Sequence, residues 1–226
     1  MGERVVLRAS DGHELGAYIA RPVGEPVACL VVIQEIFGVN AHIRAVADGF
    51  ARDGFFAVAP AVFDRIERDV ELEYSGPDQQ KAMSFIPRLN ADTGVMDVAA
   101  AIDYAARQTG KKVGVVGYCY GGSMAWLAAT RLAPSAAVGY YGGLIPRLAE
   151  EAPKAPVMLH FGREDAHIPA EGVNRVQALH PEVEIHWYDA GHAFNRDVGP
   201  GYRPEAAKLA RERTVAFLRQ HLEAVS

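Results

Sequence analysis

A cysteine between two tyrosines and three glycines is the feature of this sequence with the clearest chemical potential. It lies in VGVVGYCYGGSMAWLAA, which joins a β-branched run at Val113 to a helix-forming run that ends at Ala129. Gly117, Cys119 and Gly121 have the G-x-nucleophile-x-G spacing of a nucleophile elbow, with cysteine where serine is usual. This spacing predicts a sulfur held out toward a substrate. The alternative is a small buried thiol in an ordinary glycine-rich turn.

The helix predicted to begin after Cys119 supports the reactive interpretation. The positive end of a helix dipole favours a thiolate and a nearby oxyanion. The backbone amide of Tyr120 would be one oxyanion donor. In domains built around a nucleophile elbow, the second oxyanion donor comes from the loop after an earlier strand. In this sequence that loop points to the amide of Ile36.

An elbow nucleophile needs a base, and the predicted base is His192. In domains with a nucleophile elbow, the catalytic residues follow one another along the chain in the order nucleophile, acid, histidine. His192 lies in the glycine-containing loop of WYDAGHAFNRD, directly after the last strand-like segment. Three other histidines are weaker candidates from their settings: His160 and His186 lie inside strand-like runs, and His180 ends a helix-like stretch. The alternative for His192 is a structural role, packed on Trp187 or Tyr188.

The base in turn needs an orienting carboxylate, and the predicted acid is Asp165. It lies just past the carboxyl end of the preceding strand, in LHFGREDAHIP. Asp189 and Glu164 are the alternatives. Asp189 is only three residues from His192, a spacing typical of a carboxylate that stabilises a turn.

Glu35 is a further charged residue in an apolar setting. It follows the run ACLVVIQ, and burying a lone carboxylate there is costly, so we expect a partner. The sequence leaves open whether Glu35 belongs to the active site or forms a salt bridge with Arg44 on the next helix.

The segments that must position these residues alternate between strand-like and helix-like patterns. An N-terminal hairpin is predicted around Asp11-Gly12. The later strand-like segments are ACLVVIQ, FFAVAP, KVGVVG, AAVGYY, APVMLHFG and VEIHWYD. They show little alternation, as expected for strands with helices on both faces. The pattern predicts an α/β domain over residues 1–226 with a mostly parallel sheet of about eight strands.

Three further predictions concern the helix around Pro87, the last helix of the chain and an irregular region. Pro87 is predicted to divide the long segment after Asp78 into two helices, and a closing helix is predicted from Pro204 to Ala224. Residues 61–78, AVFDRIERDVELEYSGPD, show no clear period. They are either a lid over the site or an ordinary surface excursion.

Composition excludes several classes of protein. Of the 226 residues, 50% are hydrophobic and 23% charged, which favours one globular domain. The formal charge of −5 gives no indication of nucleic-acid or membrane binding, and we expect neither a membrane span nor a signal peptide. The two cysteines, Cys29 and Cys119, provide no disulfide framework, so a cytoplasmic location is expected. No residues have metal-ligand spacing, so no metal or other cofactor is expected.

Five motifs together resemble the dienelactone hydrolases, or carboxymethylenebutenolidases. They are QEIFGVN, VGYCYGG, AVGYYG, HWYDAGHAF and the aspartate of GREDAHIP, and they occur in order over essentially the whole chain. The resemblance implies an α/β-hydrolase fold and a catalytic triad of Cys119, Asp165 and His192. It also implies hydrolysis of a small lactone or activated ester through a thioester. The partner would be a small-molecule substrate, and we expect a monomer or weak homodimer.

The resemblance also assigns residues around the triad. Glu35 matches a glutamate that contacts the resting thiol and is displaced by substrate, and Arg196 matches an arginine that binds the substrate carboxylate. Gln79 and Met83 stand where dienelactone-processing members have arginine and tyrosine. Glutamine cannot replace the charge of an arginine clamp. The candidates for a compensating cation are Arg65, Arg68, Lys81 and Arg88.

The departure at Gln79 and Met83 weakens the case for dienelactone itself as the substrate. We therefore predict a small, carboxylate-bearing lactone or activated ester. The alternatives are a general small-ester carboxylesterase and a non-catalytic binding protein on a hydrolase-like fold.

Overall fold

Eight strands form one sheet in the computed structural model, which describes residues 2–223. Their order across the sheet is β1-β2-β4-β3-β5-β6-β7-β8. The strand β2 is antiparallel to both of its neighbours, and the other neighbouring pairs are parallel. The predicted mostly parallel sheet is confirmed. The bounds are β1 Glu3–Arg8, β2 Glu14–Ala20, β3 Ala28–Ile33, β4 Phe55–Pro60, β5 Val113–Tyr118, β6 Ala136–Tyr140, β7 Val157–Gly162 and β8 Glu184–Tyr188.

The predicted N-terminal hairpin is also present. β1 and β2 pair with Leu7 opposite Leu15. Gly12 lies in the connecting turn with a φ of 86°, a left-handed conformation that glycine adopts at little cost.

The uniformly apolar strands are buried on both faces, which explains their lack of alternation. The helix bounds are α1 Ala41–Arg52, α2 Gly76–Phe85, α3 Ala91–Thr109, α4 Tyr120–Arg131, α5 Ala170–Leu179 and α6 Pro204–Leu222. In β3, Leu30 and Val32 pack in one core with side chains of α1 and α6, whereas Cys29 and Val31 pack in another with side chains of α3. Within residues 2–223 no helix has both the length and the apolar character that crossing a membrane requires.

The helix predictions agree with the structure around Pro87 but not at the start of α2. Pro87 does divide the long segment, since it lies in a 3-10 turn at Ile86–Arg88 between α2 and α3. The helix α2 begins at Gly76, inside the stretch predicted to be irregular. The predicted end of α6 at Ala224 lies outside the described residues.

Residues 61–78 form an ordered excursion with a small core of its own. The backbone N–H of Leu72 donates to the carbonyl of Phe37 at 2.9 Å, and Glu71 pairs with Gly38 in an antiparallel bridge. This segment is thereby held against the loop that follows β3. Its apolar contacts join Phe37, Val62, Phe63, Val70, Leu72, Ala82 and Phe85.

Candidate active site

Cys119 lies between the end of β5 and the first residue of α4 in a strained backbone conformation. Its φ is 55° and its ψ −116°, which side-chain-bearing residues rarely adopt. The elbow glycines permit this conformation for steric reasons. A Cβ on Gly117 would lie 1.9 Å from the carbonyl oxygen of Gly121, and one on Gly121 would lie 2.3 Å from that of Ile33. The sequence therefore builds a turn that only glycines at these two positions allow.

The structure brings Cys119, His192 and Asp165 into one chain of contacts. The Cys119 Sγ lies 3.2 Å from His192 Nε2, and His192 Nδ1 lies 2.7 Å from Asp165 Oδ2. The Asp165 side chain is fully buried. Its other oxygen accepts a hydrogen bond of 2.9 Å from the backbone N–H of His167. Asp165 is thus fixed from both oxygens, and the imidazole is oriented toward the sulfur.

The charge state of His192 follows from these contacts. Burial lowers its pKa, but the hydrogen bond to Asp165 and then the contact with Cys119 outweigh burial and raise the pKa to about 10. His192 therefore holds its proton at neutral pH. The protonated ring faces the Cys119 sulfur across 3.2 Å, and a nearby positive charge favours the thiolate, which is the nucleophilic form of a cysteine.

The alternatives for these residues find other partners. Asp189 has a 91% exposed side chain and lies 3.4 Å from Arg163. Trp187 packs on Phe161. The ring of His192 instead lies against the ring of Tyr141, with centroids 5.1 Å apart.

Glu35 is buried and lies against Arg196. Its side chain is 2% exposed, and its Oε1 is 3.7 Å from Arg196 Nη1. The alternative of a salt bridge with Arg44 is wrong, because Arg44 pairs with Glu71 at 2.7 Å. Among the described residues, Glu35 Oε2 has no hydrogen-bond partner, and no hydrogen bond joins Glu35 to Cys119. The sulfur faces His192, so the thiol contact implied for Glu35 is not made in this arrangement.

Arg196 is seated on aromatic rings that the sequence did not reveal. Its Cζ lies 4.0 Å from the ring centroid of Tyr74 and 5.7 Å from that of Phe37. Tyr74 comes from the excursion of residues 61–78, and its hydroxyl accepts a hydrogen bond of 2.9 Å from Asn40 Nδ2. The excursion thus supplies one wall of the Arg196 site.

Tyr141 is a second residue that sequence reasoning missed. It follows β6 with a φ of 38°, and its buried hydroxyl has no hydrogen-bond partner among residues 2–223. Burial and then the charge of Glu35 raise the pKa of Tyr141 well above its usual value. The only available signal was its place in the motif AVGYYG, which says nothing about its contact with His192.

The two predicted oxyanion donors lie at the carboxyl ends of adjacent strands. Tyr120 is the first residue of α4, and the first N–H groups of a helix have no partner within it. Ile36 follows the end of β3 by three residues, and β3 pairs directly with β5. The roles of these amides stay predictions.

The residues that depart from the dienelactone pattern lie on the outer surface of α2. Gln79 and Met83 are both exposed. Of the possible compensating cations, Arg65 binds Asp97 and Asp11, Arg68 lies near Asp64, Lys81 pairs with Glu67, and Arg88 is exposed. Arg196 is the cation that the structure places beside Glu35.

A mostly parallel eight-stranded sheet with an elbow nucleophile between β5 and α4 defines the α/β-hydrolase class. The sequence profile of the Dienelactone hydrolase family matches residues 15–222. The chain belongs to this family, so the predicted fold class and family resemblance are confirmed. The broader prediction of a hydrolase of esters or lactones is confirmed with them.

Individual relatives agree with this assignment. A carboxymethylenebutenolidase from Pseudomonas putida is 36% identical over 225 residues, covering 96% of this chain and 95% of the relative. One from Pseudomonas sp. strain P51 is 32% identical over 226 residues, with the same two coverages. The crystal structure of a protein provisionally named dienelactone hydrolase, from Klebsiella pneumoniae, superposes with a TM-score of 0.84 at 30% identity. It covers 97% of this chain and 99% of its own.

Proposed function

We propose that this protein hydrolyses a small, carboxylate-bearing lactone or activated ester through a thioester on Cys119. The observation that supports this most directly is the unbroken contact from Cys119 Sγ through His192 to the buried carboxylate of Asp165. The contact occurs at an elbow with a strained backbone, and such strain is typical of active sites. The names of the carboxymethylenebutenolidase relatives agree with a lactone substrate.

The first half-reaction would form the thioester. The thiolate of Cys119 attacks the ester carbonyl carbon, and the amides of Ile36 and Tyr120 stabilise the oxyanion. One such donor is typically worth about 10²–10³ in rate. The C–O bond to the leaving group then breaks, and the departing oxygen takes the proton of the His192 imidazolium. In a lactone this oxygen stays attached to the acyl group.

The second half-reaction would release the acyl group. Neutral His192, oriented by Asp165, removes a proton from water as the water oxygen attacks the thioester carbonyl. The C–S bond breaks, the thiolate returns, and His192 is again an imidazolium. The net change is one ester and one water converted into one acid and one hydroxyl group.

A thiolate nucleophile restricts the substrate. It suits an activated ester whose leaving group is a stabilised enolate, whereas alkoxides and amines are harder for it to expel. The substrate carboxylate would take the place of the Glu35 carboxylate beside Arg196, since a guanidinium recognises carboxylates through paired hydrogen bonds. Binding of substrate would then release Glu35 from its present contact with Arg196, whose N–O separation of 3.7 Å is longer than a hydrogen bond.

The test is a panel of cyclic and linear esters, each with and without a carboxylate, assayed on variants of the nucleophile and acid. Cys119→Ala should lower kcat/KM by at least about 10³. Rapid quenching of the wild type should trap an acyl adduct on Cys119 that hydroxylamine removes. Asp165→Asn should lower activity, while the matched variant Asp189→Asn, at an exposed carboxylate, should not.

Each part of the proposal has its own contrary outcome. Undiminished turnover by Cys119→Ala would rule out the thioester. Equal activity on charged and neutral esters would favour a general carboxylesterase. No turnover of any ester by a folded protein would favour a binding protein on a hydrolase-like fold.

A further inference from the structure

The guanidinium of Arg196 is held on several sides, although the residue lies in a loop. Its Nε donates to the carbonyl of Val198 at 2.8 Å, and its Cζ lies 4.0 Å from the ring centroid of Tyr74. Stacking on an aromatic ring stabilises a cation. These contacts orient Nη1 toward Glu35 and the buried site.

Two residues at the start of α1 contact the neighbours of Arg196: Asn40 contacts Tyr74, and His42 contacts Asp197. Asn40 caps the helix, since its Oδ1 accepts a hydrogen bond of 3.2 Å from the backbone N–H of Ile43. Its Nδ2 donates to the hydroxyl of Tyr74 at 2.9 Å and to the carbonyl of Leu72 at 3.0 Å. One side chain therefore fixes the helix start, the excursion of residues 61–78 and the ring beneath Arg196.

His42 contacts Asp197, the residue that follows Arg196 in the chain. Its Nδ1 lies 3.0 Å from Asp197 Oδ1, and its side chain is only 6% exposed. The other ring nitrogen, Nε2, is buried without a hydrogen-bond partner among residues 2–223. Burying an unpaired polar atom costs free energy. Among the residues described, the one polar contact of the His42 ring is therefore the contact of Nδ1 with Asp197.

We propose that Asn40 and His42 are positioning residues for Arg196, one through Tyr74 and the other through Asp197. This inference rests on the proposed role of Arg196 in binding the substrate carboxylate. A bidentate contact depends on the orientation of the guanidinium plane, and small misplacements of a binding group lower reaction rates strongly. Loss of either support leaves Arg196 present but poorly oriented.

The experiment compares two esters with one leaving group: mono(4-nitrophenyl) succinate, which is anionic, and 4-nitrophenyl butyrate, which is neutral. His42→Phe keeps a planar ring and removes Nδ1. It should raise KM for the anionic ester about tenfold, the size of one weakened charge-assisted hydrogen bond, with little change in kcat. KM for the neutral ester should stay the same. His42→Asn places an amide near the position of Nδ1 and should restore most of the affinity.

A double variant and a matched control distinguish positioning from a general structural effect. If His42 acts through Arg196, His42→Phe should add nothing to the loss in an Arg196→Gln background. The control is His221→Phe, on the helix α6, where Lys112 contacts the His221 carbonyl near the start of β5. It should leave both KM values unchanged. Equal losses on both esters, or full additivity with Arg196→Gln, would overturn the proposal.

A readout without substrate separates this inference from the proposed function. The Arg196 Nε–H should give an NMR signal shifted upfield by the Tyr74 ring. His42→Phe should move this signal toward the position of a free arginine, and His42→Asn should not. An unmoved signal in His42→Phe would refute positioning. If the signal moves but Arg196→Gln leaves KM for the anionic ester unchanged, positioning stands and the proposed carboxylate site fails.

Discussion

His192 experiences opposing influences, and their balance decides how the site starts its reaction. Burial alone would favour a neutral imidazole, but the hydrogen bond that the imidazole donates to Asp165 and the contact with Cys119 raise its pKa to about 10. A neutral imidazole would act first as a base, whereas a charged one acts first as an acid toward the leaving group. In the proposed reaction, the raised pKa of His192 favours the second order.

The pKa of His192 can be tested by NMR titration of its imidazole. In the wild type the ring should titrate near pH 10. Asp165→Asn should lower this pKa most, because the Asp165 hydrogen bond is the largest of the influences that raise it. Cys119→Ala should lower it as well, since the paired sulfur is lost. A wild-type value near the ordinary pKa of histidine, about 6.5, would contradict the ion pair.

At the scale of elements, Arg65 joins three parts of the chain that lie far apart in sequence. It binds Asp97 on α3 through two hydrogen bonds, of 2.9 and 2.8 Å, and it also binds Asp11 in the turn of the N-terminal hairpin. Arg65 itself lies in a 3-10 turn of the 61–78 excursion. The Asp97 side chain is fully buried, and burial raises its pKa despite the arginine. The pair therefore holds the excursion in place without fully offsetting its own desolvation.

Replacement of Arg65 should destabilise the protein more than replacement of a nearby exposed arginine. Arg65→Met leaves the buried carboxylate of Asp97 unpaired and should lower the free energy of unfolding by about 3 kcal/mol. Arg68→Met, at an exposed side chain, should change it by no more than about 0.5 kcal/mol. Urea denaturation at pH 7 measures both.

The double variant Arg65→Met/Asp97→Leu tests the cause. It removes both charges from the buried site, so it should recover most of the lost stability. A double variant as unstable as Arg65→Met would show that the loss comes from packing rather than from an unpaired charge.

The elements and the elbow could be predicted because their signals are local. The apolar runs of β3 to β7 follow from burial on both faces, and the elbow glycines follow from steric contacts within a few residues. The place of Tyr74 could not be predicted, since its segment has no period and its contacts are with Phe37 and Arg196, far away in the chain.

The partner of Glu35 shows the same limit. The one arginine that the sequence suggested as a partner was Arg44, nine residues away on the next helix, whereas Arg196 lies on a loop after the last strand. Proximity in the sequence is a poor guide here, because a parallel sheet brings the loops after its strands to one edge whatever their separation along the chain. Only the three-dimensional arrangement decides that Arg196 is the neighbour.

At the scale of the whole molecule, the fully buried histidine His160 opposes His192 in its effect on stability. His160 on β7 contacts the hydroxyls of Tyr188 and Thr214 at 2.8 and 3.0 Å, and Thr214 contacts the hydroxyl of Tyr140. This network connects β6, β7 and β8 with α6. Burial first, and then the charges of His186 and Arg213, lower the pKa of His160 well below 6.5.

The two histidines shift stability in opposite directions with pH. Below about pH 6.5 the unfolded chain binds a proton that native His160 does not, so stability falls as the pH is lowered. At the active site the proposed Cys119 thiolate must be counted as well, because the thiol of the unfolded chain keeps its proton up to about pH 8.5. Between about pH 6.5 and pH 8.5 the folded ion pair and the unfolded chain therefore hold the same number of protons there, and stability is level. From about pH 8.5 to the native pKa of His192, about 10, the folded protein holds one proton more, so stability falls as the pH rises.

Urea denaturation between pH 5 and pH 9.5 should reveal an acid limb below about pH 6.5 and an alkaline limb above about pH 8.5, with a slope approaching about 1.4 kcal/mol per pH unit for each proton. His160→Gln should reduce the acid slope and leave the alkaline limb in place, although His186, whose pKa burial also lowers, retains part of the acid slope. His192→Gln should remove the alkaline limb, because the variant has no imidazole to hold the extra proton. The alkaline limb therefore distinguishes the two variants even if either is less stable at every pH. A wild-type stability that rises steadily from pH 6.5 to pH 9.5 would contradict the raised pKa of His192, and with it the ion pair from which the proposed reaction begins.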